Sequence, residues 1–220
     1  MKHLILLATL ISTVAFGAGY GDEKDANLAV IPSGTYVLEP YHGHLTFSYM
    51  HSGWSNPSVK FEKFDLKVEI DQDDHANSSV SMTVDTSSIN SGSKIFNGHL
   101  MGMYFKTEEH PKVTATAKGF TATGPATGTM TANLTIGEIT QPVELDIVIN
   151  AAGPHPHPMA QKAPGLGVSV SAVVDGRPWF PGARFPAPAE VHINLEAELI
   201  SEEGGEVLAA AFEKIFGPRE

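Results

Sequence analysis

From Ser33 onward, apolar residues recur at every second position in short runs separated by Gly, Asn, Asp, Ser and Pro. This alternation constrains the fold more than any other feature, because it fits the two-residue repeat of a half-buried strand and not the repeat of a helix. Phe64-Leu66-Val68-Ile70, Val80-Met82-Val84, Val113-Ala115-Ala117 and Met130-Ala132-Leu134-Ile136 each put one apolar set on one strand face. Val143-Leu145-Ile147-Ile149, Leu166-Val168-Val170-Ala172-Val174 and Val191-Ile193-Leu195-Ala197-Leu199 do the same. Val59-Phe61 and Phe64 to Ile70 read as one long strand. Its apolar parity flips between Phe61 and Phe64, which predicts a bulge near Glu62-Lys63. About eight or nine strands result, predicting an all-β antiparallel sandwich or closed barrel. A barrel of about eight strands is either filled by its own side chains or holds one small ligand.

The stretch Tyr36 to His51 (YVLEPYHGHLTFSYMH) reads as a strand end, a tight turn at Glu39-Pro40-Tyr41 and a second strand. That strand places Leu45, Phe47, Tyr49 and His51 on one face, and His44, Thr46, Ser48 and Met50 on the other. The first face is apolar with polar tips at Tyr49 and His51. It suits an ordinary core or the wall of an apolar cavity equally well.

Three stretches break the pattern. Ser87 to Pro111 alternates poorly, with a helical turn expected around Lys94 to Met101. Ala151 to Gly165 and Arg177 to Pro188 are rich in Pro and are expected as loops. In the tail, residues 202–220, Leu208, Ala211, Phe212, Ile215 and Phe216 sit at helical spacing. Glu202, Glu203 and Glu206 lie before or in the first turn and Gly217-Pro218 at the end, which predicts a short amphipathic helix. It is expected on the barrel wall or across one mouth.

The N-terminus has one Lys, an apolar run from Leu4 to Phe16 and then small residues, the layout of a cleaved export leader. Cleavage after Gly17 or Gly19 fits the small-residue rule. The expected organisation is therefore a leader at 1–19, a linker at 20–32, the β domain at 33–201 and the helical tail. The net charge of −11 argues against binding nucleic acid or an anionic lipid surface by a basic patch. With no cysteine in the chain, disulfides, thiolate metal sites and Cys nucleophiles are excluded.

No assembled catalytic set is legible. There is no GxSxG elbow, no HExxH and no glycine-rich phosphate loop. Glu39, Asp85 and Asp175 stand alone at strand ends, where turn hydrogen bonding accounts for them. His42 and His44, like His155 and His157, are two apart and could share a strand face, but no third ligand is evident in sequence. No catalytic residue and no metal site is assigned.

The order of several blocks resembles the YceI-like family. Tyr36, His42, Phe47 and His51 fall on its opening pattern, with Glu39 where Asp is usual. Val80 to Gly92 is similar to its strand ending in D-x-x-S-[IL]-x-T-G. Asn97-Gly98-His99-Leu100, Tyr104-Phe105 and His110-Pro111 are similar to its next segment, and Leu134 to Val143 to its L-T-I-x-G-x-T-x-P-V strand pair. Gly137-Glu138, the segment Asp175 to Phe180 and the helical tail depart from the pattern.

The resemblance implies an extended, antiparallel, lipocalin-like barrel exported to the periplasm. It implies a long isoprenoid lipid, a prenyl chain or quinone tail, held in the lumen as ligand, with no catalysis and no other cofactor. Candidate wall residues are Phe47, Tyr49, Phe64, Leu66 and Met82, with Met101, Met103, Tyr104 and Phe105 near an entrance. Methionine suits an adaptable surface against a flexible chain. His42, His51 and His99 are candidates for contact with a headgroup; the competing role is hydrogen bonding at turns. Each wall residue would serve a plain core as well. Two alternatives stay open: a histidine-dependent metal-binding protein or enzyme, and an interaction module with a filled barrel. Transient membrane contact and a homodimer are also left open.

Overall fold

The computed structural model describes residues 26–217, so the leader expected at 1–19 lies outside the described residues. One antiparallel sheet contains β1 (Gly34–Leu38), β2 (His44–Ser48), β3 (Ser58–Phe61), β4 (Phe64–Ile70), β5 (Ser79–Asp85) and β6 (Ile89–Asn90). It continues through β7 (Lys112–Lys118), β8 (Thr121–Gly124), β9 (Thr127–Ile136), β10 (Ile139–Pro154), β11 (Pro164–Val174) and β12 (Val191–Ser201). The order β1-β4-β5-β7-β9-β10-β11-β12 returns to β1 through the pairs Tyr36↔Ser201 and Leu38↔Leu199, closing an eight-strand barrel.

The twelve segments reduce to eight staves because three neighbouring staves are each broken in two at one level and β8, paired with β9, lies off the barrel path. β1 and β2 pair with opposite ends of β12, with residues 39–43 between them. β3 and β4 pair with β2 and β1 in turn, and so form one strand interrupted at Glu62-Lys63, where the parity flip placed a bulge. β5 and β6 are likewise halves of one strand. The ladder is carried across the break by Asp85 N–H donating to the Lys63 carbonyl at 3.0 Å and Glu62 N–H donating to that of Ser88 at 3.1 Å.

Four expectations change. The loop expected at Ala151 to Gly165 is shorter: β10 runs to Pro154 and pairs Gly153↔Gly165 and Pro154↔Pro164, leaving 155–163 as loop. Proline is tolerated there because the ladder ends at that pair. The helical turn is longer than expected. α1 (Lys94–His99), capped by the Ser93 hydroxyl, runs on as a π-helical turn, Leu100–Phe105. The expected linker is packed at its end, with a 3-10 turn at Leu28–Val30 and Ile31 buried. β8 is an addition that alternation could not show, since Thr121, Ala122 and Thr123 are exposed on both faces.

α2 (Glu202–Phe216) lies on the outer wall and not across a mouth. The Ser201 hydroxyl accepts the Gly204 N–H. Leu208 and Ile200 are fully buried with Ala160 beneath the helix. A side chain at 204 would bring its Cβ within 2.3 Å of Ala163 Cβ, so glycine permits this close approach.

Candidate functional site

The inward faces of the barrel enclose a cavity of about 940 Å³, at the upper end of ligand-sized pockets. Its wall is built by the alternation itself: the inward sets of β4, β5, β7, β9, β10, β11 and β12 all contribute. No Asp, Glu, Lys or Arg lines it among the described residues. Val68, Val80, Leu134, Val168 and Val170 point inward yet are only half-buried. A filled barrel would bury these side chains, because protein interiors pack to crystal density. Short side chains help keep the space open: Ala117 and Ala132 are directly paired across β7 and β9, and both face the cavity.

One end of the cavity carries an aromatic cluster. Phe61 and Phe105 meet edge to face at 5.6 Å, Phe47 lies 5.8 Å from Phe61, and Phe180 sits 5.5 Å from Tyr104 and 5.9 Å from Phe105. Tyr49 stacks 6.5 Å from Phe47 and lies 6.3 Å from His51 at the rim. Burial, and secondarily the nearby Tyr104, pushes the Tyr49 phenol above its ordinary value; burial alone does so for Tyr104. Both hydroxyls therefore stay neutral at physiological pH and can donate or accept a hydrogen bond. Tyr104 donates to the Phe185 carbonyl at 3.3 Å.

Residues 175–190 fold over this end. Trp179 is buried, and its Nε1 donates to the Leu134 carbonyl at 3.2 Å. The Arg177 guanidinium grips Asp175 through Nε to Oδ1 at 2.8 Å and Nη2 to Oδ2 at 2.6 Å, holding that carboxyl at about 2. The cavity meets solvent at a rim that includes exposed Met50 and Phe185. Trp54 and Ile95, on the neighbouring loop and on α1, are also exposed.

Of the residues chosen from sequence, Phe47, Tyr49, Leu66, Met82, Met103, Tyr104, Phe105, His51 and His99 are brought to the cavity wall or rim. Three are not. Phe64 sits at the strand break, where its ring packs over Gly43, 3.1 Å from where a Cβ there would stand. Met101 packs into the core from the π-helical turn, on a different side from Met103. His42 lies on the outer wall, its Nδ1 2.8 Å from Glu39 Oε2, because the interruption at 39–43 turns it away from the lumen. Phe180 and His75 line the cavity and were not anticipated. Phe180 stands in a Pro-rich segment without periodicity, where Trp179-Phe180, an aromatic pair between prolines, was the one available signal.

Residues 36–199 match the YceI-like domain. The chain belongs to the YceI-like family. Its similarity to curated relatives is distant: it is 29% identical over 122 residues to the UPF0312 protein SAR2769 of Staphylococcus aureus (strain MRSA252), covering 55% of this chain and 68% of that one. Among solved structures, BcnA of Burkholderia cenocepacia superposes with a TM-score of 0.60 at 18% identity, covering 73% of this chain and 98% of BcnA. A polyisoprenoid binding domain from Saccharophagus degradans, implicated in plant cell wall breakdown, superposes with a TM-score of 0.58 at 12% identity. That match covers 76% of this chain and 98% of the domain. At these identities the structures speak for the fold. The YceI-like barrel is the expected eight-strand closure, here with an added C-terminal helix.

Proposed function

We propose that this YceI-like protein binds and carries a long isoprenoid lipid in the barrel lumen, chain inward and polar head at the rim, without catalysing a reaction on it. The observation that carries the reading is an uncharged, inward-facing wall around a cavity of about 940 Å³, on which Val68, Val80, Leu134, Val168 and Val170 stay only half-buried. The polyisoprenoid-binding description of the Saccharophagus degradans domain supports the ligand class. Ten methylene-sized groups entering such a wall contribute ~8 kcal/mol, micromolar-scale affinity before ordering costs. Tyr49, His51, His99 and Tyr104 supply the polar groups near the rim that orient a head. Export to the periplasm is part of the proposal and is supported by the leader-like sequence at 1–19. Exposed Met50, Trp54, Ile95 and Phe185 give the rim an apolar fringe suited to brief contact with a membrane during loading.

The test is organic extraction of the purified protein with mass spectrometry, followed by titration of the delipidated protein with prenols of increasing length. Release of a prenyl lipid and affinity rising with chain length are expected. A protein that comes out empty and binds no prenol, or that prefers straight fatty acyl chains of equal carbon number, overturns the reading.

A further inference from the structure

On the outer wall of the barrel, away from the lumen, the strand break assembles a second polar site. Residues 39–43 bulge out between β1 and β2 opposite Ala197 and Glu198 of β12. The bulge brings Glu39, His42 and Glu198 together so that one ligand atom from each lies within 4.8 Å of the others. The β10–β11 loop adds His155, whose backbone N–H donates to the Ala163 carbonyl at 2.7 Å. Gly165 makes room for the ring: a Cβ there would stand 2.9 Å from His155 Cδ2.

The hydrogen bonding among the protein groups here is incomplete in a way that suits a bound cation. Glu39 is fully buried. Its Oε2 accepts the Tyr41 and His42 N–H groups, each at 2.9 Å, and meets His42 Nδ1 at 2.8 Å. Its Oε1 is buried without a hydrogen-bond partner. The His155 side chain is 3% exposed, and its Nε2 also lacks a hydrogen bond although it lies 3.2 Å from Glu198 Oε2. Among the described residues, no Lys or Arg pairs with Glu39 or Glu198; only histidines face them. Two carboxylates, one of them wholly desolvated, thus converge with no fixed positive charge to offset them, which is unfavourable unless a cation is bound.

We propose that Glu39, His42 and Glu198 bind a divalent first-row transition-metal ion, with Zn²⁺ the best chemical match, and that His155 supports the site from behind. His42 Nδ1 lies 2.8 Å from Glu39 Oε2 and 3.7 Å from Glu198 Oε2. These separations bracket the ~3.3 Å edge of a tetrahedron with metal–ligand bonds of ~2.0 Å. One imidazole and two carboxylates suit zinc, while calcium would need more oxygen ligands than the cluster offers. The ion takes the place of the Nδ1 proton of His42, and that proton moves to Nε2 of the half-exposed ring. His155 Nδ1 accepts the His157 N–H at 3.2 Å, so the ring's proton sits on Nε2 facing Glu198. From there, 3.2 Å from Glu198 Oε2, it is placed to become an outer-shell donor once that carboxylate turns to the ion. The fourth position opens to the groove beside Asn150 and Gly153, where water completes the shell. Bound there, the ion ties the break between β1 and β2 to β12.

The experiment is isothermal titration of tag-free, EDTA-treated protein with Zn²⁺, repeated with 1 mM Ca²⁺ present, alongside thermal unfolding with and without Zn²⁺. One equivalent is expected to bind, unaffected by Ca²⁺, with a rise in Tm. His42→Ala and Glu198→Gln change half-exposed side chains and should each lose binding more than tenfold, together with the Zn²⁺-dependent rise in Tm. His155→Gln should weaken binding about tenfold. His44→Ala and His192→Ala, at histidines outside the cluster, should leave it unchanged. Absence of binding by folded protein, displacement by Ca²⁺, or full binding by both His42→Ala and Glu198→Gln overturns the site.

Discussion

Ala132→Phe separates a hollow lumen from a filled one because the two give effects of opposite sign. Ala132 faces the cavity from β9, paired with Ala117 on β7 and Val143 on β10. In a hollow barrel, the added phenyl ring enters empty space beside apolar neighbours. Burying a Phe side chain is worth about 1.5–3 kcal/mol; after the loss of rotamer freedom, the ligand-free protein should gain about 1 kcal/mol. For a chain of this length that raises Tm by about 2–4 °C. The same ring displaces about five carbons of the bound chain, each worth ~0.8 kcal/mol. A long prenol should therefore bind up to ~4 kcal/mol more weakly, about three orders of magnitude in Kd. The measurements are calorimetric unfolding of delipidated protein and fluorescence-detected prenol titration. In a filled barrel the substitution overpacks the core, costs about 1–3 kcal/mol and lowers Tm. A fall in Tm with prenol affinity unchanged refutes the hollow lumen.

Leu208→Ala removes the fully buried anchor of α2 and should cost about 2–5 kcal/mol by urea denaturation, with amide protection lost first in the helix. Trp54, 91% exposed on the rim loop, should govern delivery and not storage. Trp54→Ser is expected to slow prenol transfer to vesicles several-fold at unchanged equilibrium affinity; a change in affinity alone would place Trp54 in the binding site instead. Asp175 is held at about 2 against an ordinary 3.8 by its hydrogen bonds to Arg177. Since its folded value is the lower one, the contribution is present above pH 4 and is lost as pH falls toward 2. Carboxyl NMR titration should show this, and Arg177→Gln should return Asp175 toward 3.8.

How much was legible in the sequence follows from which signals are local. Period-two alternation is local, so the inward sets of β4, β5, β7 and β9 to β12 could be read directly, and the parity flip at Glu62-Lys63 located one of three strand breaks. The turn at Glu39-Pro40-Tyr41 is legible too, but its alignment with the breaks at 62–63 and 86–88 is not, because that alignment exists only once the staves pair. The same limit separated the site residues. Phe47, Tyr49 and Leu66 follow from strand parity. Phe64 shares that parity but stands at the break, where its ring covers Gly43 instead of the lumen. His42 is a headgroup candidate in sequence, with hydrogen bonding at a turn as its competing role, and the structure sets it at the turn against Glu39. Its partners Glu198 and His155 come from chain segments more than a hundred residues away, and no spacing rule links them.

A barrel that leaves part of its inner face half-buried forgoes some of the hydrophobic stabilisation its sequence could supply, so other parts of the fold must make it up. Closure supplies one part: each of the eight staves has two neighbours, and the β1–β12 seam leaves no free edge along β1 or β12, while β6 and β8 are paired on one side among the described residues. Two buried clusters supply another, Trp179 with Val143 and Ala172 at one end of the lumen, and Leu208 with Ile200 and Ala160 beneath α2. Neither requires the middle of the lumen to be filled. The helix beyond the family domain thus secures the end of β12, the strand that closes the barrel, from outside. On the proposed function, the lumen supplies the last increment through a bound lipid. A lipid at a hundred times its Kd adds about 2.7 kcal/mol, or roughly 5–10 °C for a chain of this size. Delipidated protein should therefore unfold that much earlier than protein reloaded with its lipid, and Ala132→Phe should shrink the gap from both sides. An equal Tm for loaded and empty protein would mean that the lipid, if bound, sits outside the barrel.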